Sequence, residues 1–256
     1  MPFFSQWKLR FLLALQGKRC GVQVLSSVDS TNLLMKTLAR ENKISAPFLI
    51  TAHTQTAGRG RLGRTFVSPK GTGLYMSLLV SPPPGTDPGK LTILAAVSVC
   101  KAIEEMTSLR PKIKWVNDLF VKGRKVCGIL AEGAGNRAVI GIGVNLKTPP
   151  GGFPPEAGIA GALDTPIDRE KLCARIAAHF LSGMENLQSP AILDFYRSRM
   201  PLIGRDISYT ENGQQKNARV TGVSEDGGLM IEKDGKESVL RTGEVTLGSQ
   251  AFSFLE

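Results

Sequence analysis

The feature that most constrains this chain is a change of pattern near residue 200. Before it, apolar residues come in strand-sized blocks and in runs at helical spacing. After it, short alternating stretches are cut by Asn212-Gly213, Asp226-Gly227-Gly228 and Asp234-Gly235. Asn-Gly and Asp-Gly pairs supply the positive φ that tight hairpins need, and a run of such hairpins over about 50 residues specifies a small antiparallel barrel. The implied organisation is a large unit over residues 1–200 and a barrel over 201–256; a chain of 256 residues has room for both.

The large unit reads as mixed α and β. Val22 to Val28 is short and β-branched, a strand; Asp29-Ser30 then offers a helix N-cap, with Leu33, Leu34 and Leu38 at helical spacing up to Asn42. A second strand runs from Pro47 to His53, a glycine-rich loop from Thr56 to Gly71, and a third strand from Leu74 to Val80. A long amphipathic helix is expected from Leu91 to Leu109, then strands at Lys112 to Val116, Val126 to Glu132 and Arg137 to Val144, the last two joined by a turn at Gly133-Ala134-Gly135-Asn136. Residues 148–166 are crowded with prolines and glycines and read as a surface loop. Helices are expected at Arg169 to Leu187 and Pro190 to Arg199.

Hydrophobic residues make up 42% of the chain and charged residues 21%, which excludes a disordered chain. No segment approaches the roughly 18 apolar residues of a membrane span. Phe11 to Leu15 follows Lys8 and Arg10 but is too short for an export signal, so it reads as a native helix or edge strand. Cys20, Cys100, Cys127 and Cys173 are scattered, without a C-x-x-C pair, which fits a reducing cytoplasm. The net charge is +10, and nine of the 32 basic residues fall in two places: Arg59, Arg61 and Arg64 in one loop, and Arg110, Lys112, Lys114, Lys122, Arg124 and Lys125 in another stretch. Charge concentrated beside glycines, with no recognition-helix or aromatic RNA-binding signature, reads as a phosphate site rather than a DNA face.

Four segments carry the chemistry. In Gly58-Arg59-Gly60-Arg61-Leu62-Gly63-Arg64 the glycines free backbone N–H groups for an anion and the arginines add forked donors, but the closing Gly-Lys-Ser/Thr of a Walker A loop is missing. Lys114-Trp115-Val116-Asn117-Asp118 sets a lysine, an amide and a carboxylate at the end of a strand, a set able to hold Mg²⁺ and neutralise phosphate. Lys125-Val126-Cys127-Gly128 puts a lysine at the mouth of a buried strand, followed by a glycine that permits close approach. Ser30-Thr31-Asn32 opens a helix, where unpaired amides and the dipole favour polar or anionic ligands.

Taken together and in this order, with Gln55 before the arginine loop and Gly141-Ile142-Gly143-Val144-Asn145-Leu146 after, these segments resemble the biotin–protein ligase family over about residues 22–247, including Gly243-Glu244-Val245 near the end. The resemblance implies an α+β fold: a mixed-sheet catalytic domain related to class II aminoacyl-tRNA synthetases and lipoate ligases, with an SH3-like C-terminal barrel. It implies biotin, ATP and Mg²⁺ as ligands. Ser30, Thr31, Asn32 and Gln55 would bind biotin, and Gly58, Arg59, Gly60 and Arg61 would close over biotin and the adenylate. Lys125, beside Gly128, would meet the biotin carboxylate and then the α-phosphate; Lys114, Asn117 and Asp118 would face ATP and Mg²⁺, with Arg64 on the phosphates, and Asn145 extends the binding set. Lys125, Arg61 and Asp118 would be the catalytic residues, with Asp118 also the metal ligand. The partner would be a biotin carboxyl carrier protein. The family's usual proline is Val116 here. Ser30-Thr31-Asn32 comes too early to leave room for the DNA-binding domain of longer members, so no DNA role is expected. Nor is a membrane role expected; a homodimer is left open, as are two other functions, a lipoate-type acyl–protein ligase and a basic nucleic-acid-binding module.

Overall fold

The computed structural model describes residues 5–211, 214–241 and 245–246. Seven strands form one mixed sheet: β1 (Gly21–Leu25), β2 (Phe48–Ala52), β3 (Gly73–Val80), β4 (Lys112–Lys114), β5 (Asp118–Val121), β6 (Arg124–Ala134) and β7 (Arg137–Asn145), in the order β1-β2-β3-β7-β6-β5-β4. Only β1 and β2 run parallel. A parallel pair needs a crossover, which is α2 (Thr31–Arg40), capped by Ser30, whose hydroxyl accepts from the Leu33 N–H at 3.4 Å. The other helices are α1 (Gln6–Leu15), α3 (Pro88–Met106), α4 (Arg169–Glu185) and α5 (Pro190–Ser198). Asp87 and Asp168 cap α3 and α4, and Pro88 and Pro190 sit where a missing N–H costs nothing.

Alternation along the strands divides their side chains between two faces. Leu74, Met76, Leu78, Cys127, Ile129, Ile140, Ile142 and Val144 share the main core with α3 and α4. On the opposite face Ile50, Leu79 and Val139 meet Met35 and Ala39 of α2. Beyond the N-terminus of α2 that second face continues as Ser77, Gly141, Gly143 and Gly128, which are too small to build a core. They leave a groove.

A second, five-stranded antiparallel sheet contains β8 (Asp206–Glu211), β9 (Gln214–Val223), β10 (Leu229–Lys233), β11 (Lys236–Leu240) and β12 (Val245–Thr246), in the order β11-β10-β9-β8-β12. Its apolar residues Ile207, Val220, Val223, Leu229 and Ile231 belong to the same core cluster as α3. The expected turn at Asn212-Gly213 and the Gly243-Glu244 part of the terminal motif lie outside the described residues.

The structure differs from the sequence reading at several places: β1 ends at Leu25 rather than Val28, α3 runs over Pro88–Met106 rather than Leu91 to Leu109, and three further segments differ more. The strand expected to reach Val116 stops at Lys114, and β5 follows, returning through Lys122 and Gly123 at φ 48° and 69°. That is the left-handed pair of a tight hairpin, but built on lysine rather than asparagine or aspartate, which is why the pattern passed unread. β6 extends to Ala134, so its turn shrinks to Gly135-Asn136. The Phe11 segment, left open between helix and strand, is helix α1. Among the described residues no helix is long and apolar enough to cross a membrane, and all four cysteines are free.

Phe180 of α4 is 1% exposed in the main core. Phe180→Ala should therefore lower stability by about 3–5 kcal/mol through lost transfer energy and a cavity. The expected observation is a lower denaturant midpoint with an unchanged slope; a shift under about 1 kcal/mol would mean that the core collapses around the gap.

Candidate functional site

The groove begins at the N-terminus of α2. Ser30, Thr31 and Asn32 are 2%, 3% and 4% exposed, an unusual depth for three consecutive polar residues. Each is satisfied. The Thr31 N–H and hydroxyl both donate to Gln55 Oε1, at 2.9 and 3.0 Å, and Gln55 Nε2 donates to the Ser68 hydroxyl at 2.9 Å. The Ser77 hydroxyl lies 2.8 Å from Thr31 Oγ1 and 2.6 Å from Asn32 Oδ1. Asn32 Nδ2 donates to the Leu130 carbonyl and to Glu132. A Cβ at Gly141 would stand 2.3 Å from Asn32 Oδ1, so the helix terminus can lie this close to β7 only over a glycine.

Glu132 also pairs with Lys36 at 2.6 Å. Burial pushes its carboxyl upward, but hydrogen bonds from Lys36 and Asn32 and the charges of Lys36 and Arg59 outweigh it and hold the group below the usual carboxylate range. Glu132 and Leu130 line a cleft of about 360 Å³ whose other wall is Gly58, Arg59, Gly60, Leu62 and Arg64.

The arginine loop is more ordered than its composition implies. Gly60 N–H donates to the Arg64 carbonyl at 2.7 Å, Phe66 N–H to the Gly58 carbonyl at 2.9 Å, and Arg59 bridges Thr65 in antiparallel fashion, with Leu62 at φ 54° in the turn. The Arg61 guanidinium donates to Asn117 Oδ1 at 3.1 Å, which ties the loop to the strand end across the groove. Phe66 was not singled out by sequence reasoning, yet its ring lies on the sheet. Added Cβ atoms at Gly143 and Gly128 would meet it at 2.4 and 3.2 Å, and Tyr75 packs edge-on to it with 6.5 Å between centroids. The readable signal was a lone aromatic in a polar loop. Ser68, Ser77 and Glu132 were missed too; only Ser77 had a local signal, as the one polar residue inside an apolar strand.

At the far end of the groove, Asn117 Nδ2 donates to the Ile129 carbonyl and Lys125 Nζ lies 2.8 Å from Asp118 Oδ1. That contact is a charge pair rather than an aligned hydrogen bond: the buried Oδ1 has no directed donor among the described residues. Register explains why Lys125 and Gly128 share a face. Asp118 pairs with Gly128, Leu119 with Cys127, and Phe120 with Lys125, so Val126 is an extra, bulged residue. In an unbroken strand two residues three apart would point to opposite faces. Lys114 pairs in register with Asp118. Asn145 turns its amide to the Gly161 carbonyl at 2.9 Å and so fastens the loop after β7. His53, at the end of the second expected strand, lies 3.3 Å from an Arg169 nitrogen; burial and that arginine depress its pKa. Among the described residues no cluster of three or more His, Cys, Asp or Glu side chains forms a metal site.

A mixed sheet whose polar groove converges a helix N-terminus, an arginine-glycine loop and a lysine–aspartate pair defines a class, and the comparisons agree on which. Residues 24–148 match the model of the biotin/lipoate A/B protein ligase family. The bifunctional ligase/repressor BirA of Bacillus subtilis is 30% identical over 239 residues, covering 88% of this chain and 72% of that protein. The biotin–[acetyl-CoA-carboxylase] ligase of Paracoccus denitrificans is 28% identical and is covered along 100% of its length. Among solved structures, the Aquifex aeolicus biotin protein ligase in complex with biotin and ATP superposes with a TM-score of 0.75 at 28% identity, covering 88% of this chain and 97% of that one. The chain belongs to the biotin protein ligases.

Gly143→Ala would press its methyl group against the Phe66 ring and push the loop from the sheet. We expect faster tryptic cleavage at Arg59, Arg61 and Arg64 in the ligand-free variant; an unchanged rate would mean that the ring is not what seats the loop.

Proposed function

We propose that this chain is an ATP-dependent ligase that converts biotin to biotinyl-5′-adenylate and transfers the biotinyl group to a lysine of a biotin carboxyl carrier protein. Beyond family membership, one observation supports the reading most strongly: at the end of a polar groove Lys125 pairs with Asp118 and Arg61 with its neighbour Asn117. No protein nucleophile is required. A carboxylate oxygen of biotin attacks the α-phosphorus of ATP, the α–β phosphoanhydride bond breaks, and pyrophosphate leaves. Two anions must be brought together, so the protein supplies countercharge and orientation.

Each residue has a task in this reading. Ser30, Thr31, Asn32 and Gln55, already prepositioned by one another, hold the polar ring of biotin, while Phe66, Gly128 and Gly58 shape the wall along its chain. Lys125 has three donors and spends one direction on Asp118, leaving others for the biotin carboxylate and then the α-phosphate. Lys114, Asn117 and Arg64 face the nucleotide. Arg59, Gly60 and Arg61 cover the mixed anhydride, which water would otherwise hydrolyse. Asn145 serves the site indirectly, through the loop that it fastens.

The Asp118 carboxylate fits Mg²⁺, which typically takes one or two protein carboxylates and completes its shell with phosphates and water. When bound, the ion would neutralise phosphate charge. In the transfer step the neutral amine of the carrier lysine attacks the anhydride carbonyl, an amide bond forms, and AMP leaves. In this reading Asp118 takes or steers the amine proton.

We further propose a boundary at residue 200, with residues 1–200 as a catalytic domain akin to class II synthetases and lipoate ligases and residues 201–256 as an SH3-like barrel; the five antiparallel strands support this. A cytoplasmic enzyme with a carrier protein as partner, no DNA or membrane role and a homodimer as an available state completes the reading.

The test is biotin-dependent exchange of pyrophosphate into ATP, followed by mass spectrometry of a carrier domain after incubation with biotin and MgATP. Exchange with lipoate but not biotin would replace the reading. Lys125→Ala should lose about 2–4 kcal/mol of transition-state stabilisation, roughly 30- to 1,000-fold in exchange rate; near-normal exchange would remove Lys125 from the mechanism. Biotin should slow tryptic cleavage of the 56–71 loop, and biotinyl-adenylate should slow it further. Equal cleavage with and without ligand would contradict the covering role of Arg59 and Arg61.

A further inference from the structure

The groove's nucleotide end is held from outside the large sheet. Between β4 and β5, whose ends Lys114 and Asp118 pair with each other, the chain turns through Trp115, Val116 and Asn117, which have no ladder partners of their own and make further contacts on both sides. On one side Asn117 exchanges hydrogen bonds with Ile129, its Nδ2 and carbonyl both engaged. On the other, the Tyr196 hydroxyl of α5 donates to the Val116 carbonyl at 3.1 Å, and just before the segment the Ile113 N–H of β4 donates to the carbonyl of Arg199, the residue that caps α5, at 2.8 Å. Trp115 makes a third contact. Its ring is 5% exposed, and its indole N–H donates to the Gly227 carbonyl at 2.9 Å, in the turn between β9 and β10.

That turn is built to hold its carbonyl still. Ser224 N–H donates to the Gly228 carbonyl and Gly227 N–H to the Ser224 carbonyl, both at 2.9 Å. The Asp226 carboxylate accepts from the Ser224 hydroxyl at 2.5 Å and pairs with Arg241. Gly227 sits at φ 90°, where a side chain would be strained and would also stand 3.0 Å from Ile93 of α3. Arg197 of α5 donates to the Val223 carbonyl just before the turn. The contact to Trp115 thus runs between a rigid turn and a segment that carries Asn117 and Asp118 one and two residues after Val116.

We infer that Trp115 is a positioning residue: its hydrogen bond to Gly227 lets the β9–β10 turn set where Asn117 and Asp118 stand, and so couples the second sheet to the nucleotide end of the groove. The inference rests on the adenylation reading above for its kinetic consequence, but not for its structural one. Trp115 itself faces the core, not the groove, and acts only through the backbone that it anchors. The biotin end is built from α2, Gln55 and β3, and does not touch the turn.

The experiment uses the full chain in three forms, Trp115→Phe, Gly227→Ala and the double variant. Phenylalanine keeps the buried ring and removes only the donor. In pyrophosphate exchange, Trp115→Phe should raise the KM for ATP about fivefold to tenfold, the scale of one neutral hydrogen bond, with the KM for biotin unchanged. Gly227→Ala should do the same by turning the carbonyl, and the double variant should be no worse than the poorer single one, because both break one contact. Hydrogen exchange supplies a readout that needs no activity: amides of residues 116–119 should exchange faster in Trp115→Phe, while those of residues 31–35 keep their rate. A wild-type protein without biotin-dependent exchange would overturn the adenylation reading, and the amide pattern would still decide the coupling. An active wild type whose Trp115→Phe variant keeps its KM for ATP and its 116–119 amide rates would overturn the coupling alone. A variant that merely melts earlier, with both KM values unchanged, would also overturn it.

Discussion

The structure depends on one constraint, the lack of side-chain bulk along the centre of one sheet face. A helix terminus carrying three polar residues and an aromatic ring both rest on that face, and neither could do so over ordinary side chains. At Gly141 an added methyl group would stand 2.3 Å from Asn32, and at Gly143 it would stand 2.4 Å from Phe66. The missing volume converts what would be a second core into a groove. Burying Ser30, Thr31 and Asn32 is then tolerable because each has partners: the Ser30 hydroxyl accepts from the Leu33 N–H, Thr31 meets Gln55 and Ser77, and Asn32 meets Ser77, the Leu130 carbonyl and Glu132.

Charge is distributed along the groove in a matching way. At the α2 end the carboxylate of Glu132 is neutralised by Lys36 and hydrogen-bonded by Asn32, so this wall is polar without being strongly positive. At the other end Lys125 pairs with Asp118, Arg61 with Asn117, and Lys114 stands in register with Asp118, so cations outnumber the one carboxylate. A net positive end is what a nucleotide needs, and the Lys125–Asp118 pair gives the half-buried lysine a partner before a ligand arrives. The cysteines do not enter this chemistry. Burial pushes the Cys20 thiol up to about 12 and those of Cys100, Cys127 and Cys173 upward as well, which leaves them protonated and inert.

The two sheets are not independent in packing. Residues of β8, β9 and β10 complete the core under α3, and α5 reaches both ways, to Val116 through Tyr196 and to Val223 through Arg197. The bidentate Arg199–Glu104 pair ties α5 to α3 behind them. Contacts made by a buried ring and by well-aligned hydrogen bonds transmit position, whereas a flexible connection would not.

The sequence by itself determined the types and order of most elements. It marked Ser30 as a cap, placed the arginine-glycine loop between two strands, and located the change to hairpins near residue 200. These are local properties: capping, periodicity and turn chemistry act over a few residues, so they can be read in a few residues. It also singled out several residues that line the groove, since their motifs are short and contiguous, but not Phe66, Ser68, Ser77 or Glu132. Tertiary structure decided which way they face and what they touch. The bulge at Val126 turns Lys125 to the side of Gly128. The ring of Phe66 lies on two strands distant in sequence, Glu132 meets Lys36 across 96 residues, and Trp115 reaches Gly227 across 112. Such pairings are fixed by strand register and by the packing of layers, where the free energy depends on neighbours that no local pattern specifies.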